Sequence, residues 1–163
     1  MSGGRGEEKT PIKRRGIFFP LAGFVLLLDQ LTKALANRFL IPGASQPVFP
    51  PVFHLTLVEN QGIAFGLFQN GEKILLAVIS ASICVLAAVG FYSHSERMKV
   101  QWGIGLILGG AVGNWVDRIR LGAVIDFLDF RIWPVFNLAD MAITIGVGLF
   151  FLDLIKKDAS RTR

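Results

Sequence analysis

Four apolar stretches, Ile17–Asn37, Glu72–Tyr92, Trp102–Ile119 and Ala139–Ile155, constrain this chain more than anything else in it. A helix needs about 20 predominantly apolar residues to cross a bilayer. The first two stretches reach that length, and the last lies at the short end of the permitted range. Composition agrees. The chain has 163 residues, 52% of them hydrophobic, with a mean hydropathy of +0.54. That is too apolar for an ordinary soluble domain and points to one membrane-embedded helical unit.

The remaining segments fit that frame. Residues 1–16 are polar, basic and Gly-containing, as expected of a cytoplasmic tail, and 156–163 form a second basic tail. Between them, 17–155 reads as a single four-span domain. A basic start, a short apolar run and Ala34-Leu35-Ala36 imitate a cleavable signal. Lys33 immediately before the supposed cleavage motif, and helical continuation to Asn37, argue for a retained span. The only cysteine, Cys84, lies inside an apolar run, where a buried core position is the plain expectation.

The connection at about 39–71 is not a span, since it holds Pro42, Pro47, Pro50 and Pro51. Phe53, Leu55 and Leu57 alternate with His54, Thr56 and Val58, which predicts a half-buried strand. Asn60-Gln61-Gly62 supplies a turn, and Ile63–Phe68 is the expected return strand of a small antiparallel sheet on the outer membrane surface. Gly105, Gly109 and Gly113 form a small-residue ridge in the third span that admits close approach of another helix; Ala142 and Gly146 repeat the spacing in the fourth.

Most of the 17 Lys and Arg residues sit in the two tails and in the loop 93–101. The positive-inside rule therefore places both termini and that loop in the cytoplasm, and the connections 37–71 and 118–138 outside. This topology gathers polar side chains at one depth. At 1.5 Å per residue, Asp29 lies about 18 Å beyond Ile17, in the outer half of the core. Asn114, Asp117 and Arg118 end the third span, Asp140 begins the fourth, and Asn60, Asp126 and Asn137 lie in the outer connections.

Each of these residues also has a structural alternative. Asp29 and Lys33, four apart, can form a helix ion pair. Asn60 can be a turn residue, and Asn114 can join two helices. Asp117 and Arg118 can be an interfacial charge pair, and Asn137 can cap a helix. Asp126 and Asp140 resist such readings, because both are flanked by apolar residues. Two carboxylates near a low-dielectric surface cannot both ionise cheaply, so they share a proton. One can then activate water while the other hydrogen-bonds a carbonyl. Asp129 is a rival partner for either.

Other chemistries lack their motifs. No His-Glu-x-x-His pair or Gly-x-Ser-x-Gly elbow occurs, and Gly109–Gly113 lacks the Lys-Ser/Thr of a phosphate loop. No basic face interleaves with aromatics, so nucleic acid is not an expected partner. Two further classes stay open. An ion-coupled carrier would place acids near the midplane. An assembly subunit would explain the glycine ridge but not the outer acids.

Five segments, in order, resemble the motifs of bacterial lipoprotein signal peptidase (signal peptidase II): Asp29-Gln30-Leu31-Thr32-Lys33, Asn60-Gln61-Gly62-Ile63-Ala64-Phe65, Gly113-Asn114-Trp115-Val116-Asp117-Arg118, Val124-Ile125-Asp126-Phe127 and Phe136-Asn137-Leu138-Ala139-Asp140. The resemblance implies a mainly α, four-helix membrane bundle with a small extracytoplasmic sheet. It implies an intramembrane aspartic endopeptidase of the inner membrane, cutting diacylglyceryl-modified prolipoproteins before the lipidated cysteine. The family's catalytic dyad falls on Asp126 and Asp140. Asn60, Asn114, Arg118 and Asn137 fall on site-lining positions, and Asp29 and Lys33 on a first-span motif that supports the site. No cofactor or metal is implied. The expected partners are a lipidated prolipoprotein, membrane lipid and a globomycin-type inhibitor, and a monomer is expected.

Overall fold

The computed structural model describes residues 17–62, 71–92 and 98–161. Four long helices, α1 (Phe18–Phe39), α2 (Gly71–Tyr92), α3 (Met98–Leu121) and α4 (Leu138–Arg161), carry a sheet of β1 (Ser45–Phe49), β2 (Phe53–Asn60) and β3 (Val124–Asp129). By length and apolar composition alone, α1 and the Lys73–Tyr92 part of α2 are able to cross a bilayer. The helices coincide with the four apolar stretches, but α3 runs on to Leu121 and α4 past Ile155 to Arg161.

α3 is the central helix and packs on α1, α2 and α4. Its glycines set the spacing. A Cβ at Gly109 would stand 2.6 Å from the Ala22 carbonyl oxygen of α1, and one at Gly113 would overlap the Asp29 carboxylate. The Gly105-Gly109-Gly113 ridge thus receives α1. A further glycine, Gly110, faces α4, where a Cβ would lie 2.5 Å from Ala139 O. The side of α1 turned to this ridge reads Phe18, Ala22, Val25, Asp29, Lys33, Ala36, all buried. It begins apolar and ends charged, so the helix contact becomes polar toward the sheet.

The outward faces are apolar: Leu27 and Leu31 on α1, Val78 and Val85 on α2, and Phe151 on α4 are exposed. Cys84 is exposed too, contrary to the core position expected for it. It lies on α2, which meets the rest of the bundle chiefly through α3, so most of its apolar circumference faces outward.

The sheet differs from the expected hairpin. Residues 63–70, where the return strand was expected, lie outside the described residues. The described partners of β2 are β1 on one side and β3 on the other, both antiparallel. β1 precedes the alternating segment and tolerates Pro47 because it is an edge strand. β3 comes from a segment read as plain connection. Gly122, at φ 74°, ends α3 in the left-handed region that favours glycine, and β3 starts two residues later. Ala36 and Leu40 from the end of α1 pack with Leu57, Ile125 and Phe127, fixing the sheet over the polar end of the bundle.

Candidate active site

Asp126 lies on β3 opposite Val58 of β2, and Asn60 is opposite Val124. Residues two apart on a strand share a face, so Asn60 and Asp126 are diagonal neighbours. Asn60 Nδ2 donates to Asp126 Oδ2 at 2.9 Å. Asn60 Oδ1 meanwhile accepts the Gly62 N–H at 3.0 Å. Asn60 is therefore a turn residue and a site residue at once.

The path from Asp126 to Asp140 is a short return. Phe136 bridges back to Leu128, with Phe136 N donating to Leu128 O at 3.0 Å and Leu128 N donating to Phe136 O at 2.8 Å. This pairing delivers Asn137 beside Asp126 and starts α4 there. Asn137 Nδ2 donates to Asp126 Oδ1 at 2.6 Å. Asn137 also caps α4: its Oδ1 accepts the Asp140 N–H at 3.0 Å, and Asp140 Oδ2 accepts the Asn137 N–H at 3.3 Å. This reciprocal pair is a capping box, with a carboxylate in the first turn where the helix dipole favours it.

Asp140 has a further donor, Asn114 Nδ2 of α3, at 2.8 Å from its Oδ1. Asn114 Oδ1 accepts from Asn137 Nδ2 at 3.1 Å and from Lys33 Nζ at 2.9 Å. Lys33 stands between two carboxylates, 2.8 Å from Asp29 Oδ2 and 2.8 Å from Asp117 Oδ2. Asp29 is fully buried and its Oδ1 accepts the Ala139 N–H at 3.0 Å, so α1 also holds the start of α4. Burying charge is costly unless it is paired and hydrogen-bonded, and this cluster meets both conditions.

The expected Asp29–Lys33 ion pair exists, but as part of a larger network. Asp117, read as half of an interfacial pair with Arg118, is buried and bonded to Lys33. Gln30, given no role from sequence, links Asp117 Oδ1 at 2.9 Å to the Gly113 carbonyl at 3.2 Å. The signal that could have found it was its spacing of three from Lys33, which makes the two neighbours on the helix surface. Arg118 donates to Asn114 O at 3.2 Å and interacts electrostatically with both Asp140 and Asp126.

Asp129 stands apart from the cluster formed by Asp126, Asn137 and Asp140. Three residues beyond Asp126 on the strand, it faces the other side of the sheet. Its Oδ1 accepts the Arg131 N–H at 2.8 Å, and its Oδ2 accepts from Thr56 Oγ1 at 2.7 Å. The Thr56 hydrogen bond holds its carboxyl below the ordinary value. It fixes the turn where Arg131 adopts φ 65°.

Asp126 behaves oppositely. Only 2% exposed, its carboxyl is pushed up to about 6, first by burial, with the Asp140 charge adding to the rise and the Asn60 and Asn137 hydrogen bonds opposing it. Asp140 is half-buried and lines an open cleft of about 520 Å3 with Phe130, Ile132, Trp133, Phe136, Met141, Thr144 and Ile145. Two neighbouring carboxyls, one desolvated and one facing an apolar cleft, can divide acid and base roles.

Comparison with known proteins agrees with the motifs. A family model described as signal peptidase (SPase) II matches residues 21–156. The lipoprotein signal peptidase of Pelotomaculum thermopropionicum is 48% identical over 132 residues, covering 80% of this chain and 86% of the relative. That of Moorella thermoacetica is 46% identical over 138 residues, covering 85% and 92%. A bacterial membrane enzyme structure obtained by the in meso method at 1.9 Å resolution superposes with a TM-score of 0.83 at 30% identity, covering 90% of this chain and 99% of that one. A second such structure, at 2.3 Å, gives 0.80 at 31% identity, covering 91% and 92%. Motifs, fold and relatives converge, and the chain belongs to the signal peptidase II family of peptidases.

Proposed function

We propose that this chain is an aspartic endopeptidase that removes the signal peptide from diacylglyceryl-modified prolipoproteins, cutting on the N-terminal side of the lipidated cysteine. The observation that carries the reading is the joining of Asp126 and Asp140 by one residue, Asn137, whose side-chain amide bonds the Asp126 carboxyl and whose backbone N–H bonds the Asp140 carboxyl, beside an apolar cleft. The relatives, lipoprotein signal peptidases, support the substrate class.

In this reading the dyad shares one proton. The ionised carboxylate takes a proton from water as the water oxygen attacks the scissile carbonyl carbon. The protonated carboxyl hydrogen-bonds the carbonyl oxygen and stabilises the tetrahedral intermediate. Collapse breaks the C–N bond, and a dyad proton passes to the departing cysteine nitrogen. Arg118 lies near both carboxylates and offsets the negative charge that gathers there. The cleft beside Asp140 is apolar enough to receive acyl chains or the signal-peptide helix.

All four helices cross the inner membrane in this reading, with both termini cytoplasmic and the dyad at the outer face. A diacylated cysteine sits at that interface, with its tails in lipid and the signal helix continuing into the core. The chemistry needs no metal or cofactor, a monomer suffices, and globomycin-type peptides are expected to inhibit it. The test is incubation of purified protein with a lipidated and an unlipidated precursor. Cleavage of the lipidated form alone is expected; equal cleavage of both, or of neither, contradicts the substrate assignment.

A further inference from the structure

The buried charge network on α1 and α3 lies one residue behind the dyad, and its hydrogen-bond directions are not interchangeable. Lys33, 3% exposed, has only donors to offer, and it places one at 2.9 Å from Asn114 Oδ1. Asn137 Nδ2 brings a second donor to the same oxygen at 3.1 Å. A flipped Asn114 amide would set its NH2 against an ammonium and another NH2. One orientation is therefore permitted, and in it Asn114 Nδ2 points at Asp140 Oδ1, 2.8 Å away.

We propose that Lys33 is a positioning residue for the dyad: by locking the Asn114 amide it commits a donor to Asp140, which keeps Asp140 as the ionised, water-activating carboxylate and leaves the shared proton on Asp126. The assignment rests on the aspartic reading above and deepens it. Donors to a carboxylate favour its charged form. Asp140 accepts two, from Asn114 Nδ2 and Asn137 N, and it borders the open cleft where water has access. Asp126 also accepts two amide donors, but it is 2% exposed, so burial penalises its charged form more. A protonated Asp126 still accepts both bonds through remaining lone pairs. The rise of its carboxyl to about 6 agrees with this division.

The charged groups around Asp140 come from three elements: Arg118 and Asp117 from α3, Lys33 and Asp29 from α1, and Asp126 from β3. A test must hold their sum constant. Lys33→Met alone would strand two buried carboxylates and endanger the fold. The pair Lys33→Met with Asp117→Asn removes one positive and one negative charge, so the net charge of the network is unchanged; the lock on Asn114 is lost together with the Lys33–Asp29 ion pair, while Asp29 keeps its hydrogen bonds from Gln30 and the Ala139 N–H.

The experiment measures kcat and KM against pH for wild type, the paired variant and Asp140→Asn, using a lipidated precursor, with thermal unfolding in the same detergent. The paired variant is expected to fold and to keep KM within about twofold. Its kcat should fall about tenfold at a fixed pH on the acid limb of the profile, that limb being moved up by about one pH unit. A purely structural Lys33 would lower the amount of active enzyme without moving that limb. A folded paired variant with an unmoved acid limb, while Asp140→Asn is inactive, overturns this inference alone. An active Asp140→Asn overturns the dyad itself.

Discussion

Asn137 and Asp140 cap each other at the start of α4, the Asp140 N–H donating to Asn137 Oδ1 at 3.0 Å and the Asn137 N–H to Asp140 Oδ2 at 3.3 Å. The cap fixes the Asn137 amide as well as the helix. With Oδ1 committed to α4, Nδ2 faces Asp126, Asn114 and the Ile125 carbonyl. One side chain thereby starts the helix that carries one carboxyl and orients the other.

These two roles of Asn137 are separable. Serine is a good N-cap but is too short to reach Asp126. Asn137→Ser should keep the cap of α4 but leave Asp126, Asn114 and the Ile125 carbonyl without the Nδ2 donor, costing about 1–3 kcal/mol of stability, while lowering kcat by about a hundredfold, within the range typical of acid–base groups. Full activity with an intact melting temperature would mean that the bond to Asp126 is irrelevant to turnover.

The two strand carboxyls pull stability in opposite directions with pH. Asp126 is raised to about 6 from an unfolded value near 3.8. Between these values the unfolded chain has released a proton that the folded chain keeps, so stability falls as pH rises through the window. Asp129 is lowered below 3.8, so its contribution is present above that value and is lost as pH falls through the folded one. Asp126→Asn should flatten the loss between about pH 4 and 6, and Asp129→Asn should flatten only the acid side below about pH 4. Thermal unfolding across pH checks both slopes.

How much of this was legible in the sequence depended on whether a residue's neighbours lay along the chain or across the fold. The helices announced themselves, because a long apolar run has few other solutions. β2 was visible because Phe53, Leu55 and Leu57 alternate with His54 and Thr56 in the sequence, although only Leu57 of the strand is buried. β3 was not, because residues 124–127 are all buried, and a segment covered on both sides shows no alternation. Asp126 and Asp140 stood out as two acids in apolar surroundings, but not their meeting, which depends on the Phe136–Leu128 bridge. The Asp29–Lys33 pair followed from helical spacing. Asp117 and Gln30 as its partners required the approach of α1 to α3 across the glycine ridge, a contact between distant segments.

Gly110 fixes how closely α4 approaches α3. A methyl group there meets the Ala139 carbonyl, one residue before Asp140. Gly110→Ala should destabilise by about 1–3 kcal/mol despite its better helix propensity, and should lower activity by shifting Asp140. Gly148→Ala on α4 meets nothing within 4 Å and should be neutral or slightly stabilising. Chemical or thermal unfolding of both variants in parallel separates the effect of close approach from that of propensity.

The proposed depth of the site rests on the distribution of Lys and Arg. Reporter fusions should place the connections 37–71 and 118–138 outside and the loop 93–101 inside. An external signal from 93–101 would put the dyad on the wrong side of the membrane for a lipidated cysteine emerging outward.

The central claim is that Asp126 and Asp140 together cleave the peptide bond and that Asp129 does not take part. The most direct measurement is cleavage of a lipidated precursor by wild type, Asp126→Asn, Asp140→Asn, their double variant and Asp129→Asn, with folding confirmed by thermal unfolding. Each dyad variant should lose activity by orders of magnitude, the double variant should lose little more than either single one because the pair acts as a unit, and Asp129→Asn should remain active. A well-folded Asp126→Asn or Asp140→Asn enzyme that still cleaves, or a well-folded Asp129→Asn enzyme that does not, would contradict the account.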